Sequence, residues 1–155
     1  MALMSYQESV SANSLSNHVS HLSLFRSYIE REIEKGQKLR NSSVDIHAWY
    51  FLMFPRSRSG STRLSDRYIG SISALALVIE RSNGSAVSGT GGTFRFATHQ
   101  EAIISVLKPV GINLTRHSRM DFYEIEGEVF GLVNAVNSAF AYSGDVSKLP
   151  ERKYR

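Results

Sequence analysis

The sequence predicts an α+β fold: a mainly antiparallel sheet with helices packed on one face. Three observations carry that expectation. Apolar residues recur every three or four positions over Leu15–Ile33 and over Val129–Phe140, which is helical spacing. β-Branched and aromatic residues crowd Val44–Phe54. The dipeptide Asn83-Gly84, a favoured hairpin turn, follows the apolar run Ala74–Ile79.

The elements follow in chain order. Residues 1–13 show no clear period and are expected to form an N-terminal arm. Leu15, Val19, Leu22, Phe25, Ile29 and Ile33 line one face of a helix; Ser14 is placed to cap it and Gly36 to end it in a left-handed conformation. Val44–Phe54 reads as a strand stopped by Pro55, and Tyr68–Arg81 as a second strand entering the Asn83-Gly84 turn. Thr93–Ala97 reads as a short strand. Thr98 and Glu101 have the spacing of a capping box that opens a helix from His99 to about Lys108, closed by Pro109 and Gly111. Ile112–Arg116 and Asp121–Glu126 are predicted strands, and Val129–Tyr142 a final helix stopped at Gly144. Residues 14–145 thus form a single α+β domain, and residues 146–155 a basic C-terminal tail.

A chain of 155 residues buries roughly 70% of the surface its unfolded form exposes, enough for one proper core. With no cysteine in the chain, disulfides, thiolate zinc sites and cysteine nucleophiles are excluded. The first thirty residues are polar and serine-rich rather than a charged segment followed by an apolar one, so no secretory signal is expected. The apolar runs Ala48–Phe54 and Ala74–Ile79 fall far short of the roughly 20 residues that span a bilayer. The expectation is a cytoplasmic protein with no membrane partner.

The formal net charge is +4, and its placement says more than its size. Pro55–Arg67 holds Arg56, Arg58, Arg63 and Arg67 against Asp66. The tail holds Lys148, Arg152, Lys153 and Arg155 against Glu151. The remaining body is close to neutral. Two basic appendages on a neutral body favour counterion release from a polyanion. Arginine forks suit phosphate, and serines with Gly60 allow close backbone approach. These eight side chains are the predicted contacts to an RNA or DNA backbone.

Other motifs point elsewhere. Gly92-Thr-Phe94-Arg-Phe96-Ala-Thr-His99 resembles the central strand of RNA-recognition motif domains, where alternate aromatics stack on bases. Gly91 stands where that family has a basic residue, and the reading adopted is that Phe94 and Phe96 face the core. Ser88-Gly-Thr-Gly-Gly92 is glycine-rich, but a phosphate cradle needs a following helix N-terminus, and a strand is expected there. His18 and His21 lie three apart, and His18-Val-Ser20 and His21-Leu-Ser23 resemble the short motif of two-histidine phosphoesterases. The second copy such enzymes need is missing at His99 and His117. Glu124 and Glu126 alternate on a predicted strand and would blunt an exposed edge.

The leading expectation is therefore a non-catalytic nucleic-acid-binding protein, oligomeric, without metal or cofactor. The alternatives are a coat-like or accessory assembly protein of a virus, and a small histidine-dependent phosphodiester hydrolase.

Overall fold

The computed structural model describes residues 2–141 and 144–155, with side chains described from Ser5 onward. Among these described residues there are five α-helices and no strand: α1 (Ala2–Glu34), α2 (Ile46–Met53), α3 (Asp66–Ser88), α4 (Phe96–Leu107) and α5 (Arg119–Phe140). The expected antiparallel sheet is not formed. Its only trace is one antiparallel bridge between Val44 and Ile112.

Helix α1 buries Phe25, Ile29 and Ile33 along the predicted face. It begins at Ala2, so Ser14 lies inside the helix instead of capping it. Ser5–Asn13 is exposed throughout. Gly36 is absent from the glycines with positive φ. Its role is room, because a Cβ there would collide with the Glu128 carboxylate. That carboxylate accepts backbone N–H bonds from Gln37, Lys38 and Leu39, tying the end of α1 to α5.

The segment expected to be the first strand is α2. The Asp45 side chain caps it by accepting from the Ala48 N–H at 3.0 Å. Ile46, Trp49, Tyr50 and Met53 then fall on one buried face. Tertiary burial overrides the β-leaning composition here. The second expected strand is the body of α3. Ser65 caps it through the Tyr68 N–H at 3.1 Å. Tyr68, Ile72, Leu75 and Ile79 are buried at helical spacing. Asn83-Gly84 lies within this helix, and Gly89 (φ 66°) ends it.

Helix α4 starts at Phe96, which removes the expected Thr93–Ala97 strand and moves Thr98 off the capping position. A 3-10 turn, Lys108–Val110, and Gly111 (φ 94°) close it as predicted from Pro109 and Gly111. A Cβ on Gly111 would lie 2.7 Å from the Asp45 carbonyl oxygen. Helix α5 fuses the expected Asp121–Glu126 strand with the expected final helix; the predicted end at Tyr142 lies outside the described residues. Phe122, Ile125, Val129, Val133 and Val136 face the core.

The long helices α1 and α5 pack together, α2 is wedged against α1 and α3, and α4 lies along α3. Trp49, Tyr50, Tyr68, Phe25, Phe54 and Phe122 are fully buried at the centre. Burying side chains of this kind stabilises by about 1.5–3 kcal/mol each. Two polar contacts pin the layers. Trp49 Nε1–H donates to Tyr68 Oη at 3.3 Å, and Tyr68 O–H donates to Asn137 Oδ1. Burial drives the Tyr68 phenol well above its usual range, so it stays a donor.

Candidate functional site

The structure separates the two basic segments. Pro55–Arg67 is a helix-to-helix connection with a 3-10 turn at Ser57–Ser59. Ser57 is buried and shares hydrogen bonds with His18 Nδ1 at 2.8 Å and with Tyr50 Oη at 2.5 Å. Tyr50 Oη meets His21 Nδ1 at 2.8 Å. The four arginines point to solvent, and Arg58 lies over the Phe51 ring at 5.2 Å. His18 ties this connection to α1, and His21 ties α2 to the same helix.

The C-terminal residues behave differently. Leu149 and Tyr154 are buried, and the segment lies as a strap along the bundle. Leu149 N–H donates to Asn134 Oδ1, and Lys153 N–H to Asn83 Oδ1. Arg152 donates to Glu126 Oε1 at 3.1 Å and to the Tyr123 carbonyl at 2.6 Å, with its guanidinium 3.6 Å above the Tyr123 ring. Arg155 uses its carbonyl to accept from Arg119 Nε at 2.7 Å. Lys148 and Lys153 remain exposed. Of the eight predicted phosphate contacts, Arg152 is spent on an internal acid.

That acid, Glu126, is the hub, and it is 1% exposed. In a strand it would share a face with Glu124. In α5 the two diverge: Glu124 meets Lys38 at 3.4 Å on the surface, whereas Glu126 turns inward. Its Oε1 accepts from Tyr154 O–H at 2.7 Å as well as from Arg152, and its Oε2 contacts His99 Nε2 at 2.7 Å. Arg152 compensates the buried carboxylate charge, and three donors satisfy its lone pairs. Burial, then the Glu126 charge, pushes the Tyr154 phenol far up, so it remains a neutral donor.

The hub fixes His99. A carboxylate can only accept, so Nε2–H donates to Glu126 and the ring is held with Nδ1 on the opposite side. Ser82 Oγ sits 2.5 Å from that Nδ1. Ser82, His99 and Glu126 thus form a chain of side-chain contacts in which the carboxylate orients the imidazole against the serine hydroxyl. Ser82 and His99 form part of the floor of a cleft of about 490 Å³ between α3 and the start of α4. Its rim is the Gly91–Arg95 stretch, with Arg81 and Arg95 on the walls. Gly89, Gly91 and Gly92 have positive φ, and Thr90 N–H donates to the Gly84 carbonyl, folding the glycine-rich loop back onto α3. Phe94 stacks on Tyr154 at 5.4 Å and Phe96 packs edge-on against Phe122. Both rings are half-buried off any strand, so the likeness to a base-stacking strand does not extend to the structure.

The sequence reading missed Ser82, Glu126 and Tyr154. One signal was available for Glu126: it is an acid inside the apolar helical stripe Phe122, Ile125, Val129. No group of three metal-ligating side chains occurs among the described residues.

The fold and site together define an all-helical protein organised on a buried carboxylate hub, with a basic cleft above it. The family model described as Retron Ec48 antiviral membrane protein matches residues 1–144, and the chain belongs to that family. It is similar to a protein of Escherichia coli named Retron Ec48 transmembrane protein, with 31% identity over 156 residues. The match covers 99% of this chain and 66% of that protein, so the chain spans just under two thirds of its relative's length. No solved structure matches.

Family membership overturns the nucleic-acid-binding reading, and neither the assembly-protein nor the phosphodiester-hydrolase alternative fits better. It also overturns the expected absence of a membrane partner and the cytoplasmic location. Apolar run length misled here. No helix among the described residues is long and apolar enough to cross a membrane, yet the family is a membrane one.

Proposed function

We propose that this chain acts in antiviral defence at a membrane, as a component of a retron system. The observation that carries the reading is the family match over residues 1–144, which includes all five helices. The name of the relative, a retron transmembrane protein, supports it. The molecular surface is compatible with membrane work. Tyr6 is 68% exposed, and Val10, Leu15, Val19 and Leu24 are also exposed along α1.

The test is a bacteriophage challenge of cells carrying the chain with its retron, alongside cells lacking only this chain. Deletion is expected to abolish protection, and fractionation to recover the chain with membranes. Unchanged plaque numbers on deletion, or a chain found only in the soluble fraction, would contradict the proposal.

A further inference from the structure

We propose that the cleft between α3 and α4 binds a phosphate-bearing small ligand, a role separate from the membrane reading above. The cleft holds about 490 Å³, within the range of small-molecule sites. Its lining contains no carboxylate. It has two arginines, Arg81 and Arg95, and the hydroxyls of Ser82, Ser85, Thr93 and Thr98. The ion pairs among the described residues leave both arginines out. Two uncompensated guanidiniums facing one cavity attract an anion, and their forks match phosphate oxygens.

The glycine-rich loop adds a second reason. Its sequence, Ser88-Gly-Thr-Gly-Gly92, lacks value as a cradle if a strand follows. In the structure α4 opens at Phe96, a few residues beyond Gly92, and no side chain caps its first turn. The N-terminal N–H groups of a twelve-residue helix are thus left beside the arginines. Below, Glu126 would repel an anion, but Arg152 neutralises it at 3.1 Å and His99 lies between. Val78, Ala102 and Phe94 give the cleft an apolar wall against which the remainder of the ligand can rest.

Phosphate can arrive on a soluble nucleotide or on a lipid headgroup, and the experiment separates the two. Binding to the purified full chain is measured with inorganic phosphate, with AMP, and with phosphatidylcholine vesicles doped with phosphatidic acid. The same series is run on an Arg81→Ala/Arg95→Ala double variant and on an Arg56→Ala/Arg63→Ala control. Both wall arginines are exposed, so the double variant should keep its melting temperature without ligand. Binding of phosphate and AMP that weakens about tenfold per lost wall arginine, with the control unchanged, supports the site and assigns a soluble ligand. Binding of the vesicles alone with the same dependence supports the site and assigns a lipid headgroup. No binding of any probe, or equal binding by the double variant, overturns the proposal.

Discussion

Two basic segments of this chain have nearly the same charge, yet only one of them commits a guanidinium to the interior. Pro55–Arg67 keeps Arg56, Arg58, Arg63 and Arg67 in solvent, while Leu149–Arg155 lies against the bundle with Arg152 held by Glu126. Their charge alone does not distinguish them. Arg152 is drawn in by a carboxylate about two helical turns into α5, on the side that faces the core, in a strap that Leu149 and Tyr154 anchor. A basic run therefore says little about its own exposure. What decides it is whether a distant helix offers a buried acid, a tyrosine-sized pocket and a ring to stack on. The connection is pinned too, but through the small neutral side chain of Ser57, which leaves its arginines free.

The comparison can be broken at several points. The largest effect is expected at the hub. Glu126→Ala leaves Arg152, Tyr154 and His99 without their shared acceptor, and should destabilise by about 3–5 kcal/mol. Chemical denaturation would show it as a lower midpoint. Arg152→Ala strands the carboxylate and removes the stack on Tyr123; a loss of about 3 kcal/mol is expected by the same measurement. Tyr154→Phe keeps the ring and removes one donor to Glu126, so about 1–2 kcal/mol is expected.

On the other side of the comparison the effects are smaller. Alanine at Arg56, Arg58 or Arg63 should change stability by less than about 0.5 kcal/mol each, because all three are exposed and make no ion pair among the described residues. An effect as large as that at Arg152 would erase the contrast. The pH dependence of this side sharpens it further. Burial, then the nearby His18, holds the His21 pKa below its ordinary 6.5. The unfolded chain therefore binds more protons than the folded one as acidity rises. The stabilising contribution is complete above pH 6.5 and is lost as pH falls from there through the lower folded value. Thermal melts should decline over that window, and His21→Gln should reduce the decline.

These contrasts also mark where the sequence was readable. The face of α1 from Phe25 to Ile33 and the closure at Pro109–Gly111 carry strong local signals, and both appear in the structure. Helix α2 was not readable as a helix. It has only eight residues, too few to show a period, and its β-leaning composition answers to packing rather than backbone preference. Helix α3 did carry a helical period, Tyr68, Ile72, Leu75 and Ile79, but Asn83-Gly84 outweighed it. That dipeptide makes a hairpin only between strands, and near a helix end Gly84 costs little more than propensity. The site was hidden for another reason. Ser82, His99, Glu126 and Tyr154 are spread over 73 positions of the chain, and only the packing of α3, α4, α5 and the strap brings them together.

The most direct test of this account follows backbone hydrogen exchange in the terminal strap. Leu149 and Lys153 N–H groups donate to Asn134 and Asn83. In the native chain both amides should be protected far beyond those of the exposed α1 segment Ser5–Asn13, and Glu126→Ala should release them while the α1–α5 core stays protected. Strap amides that exchange as fast as that exposed segment in the native chain, or that are indifferent to Glu126→Ala, would contradict it.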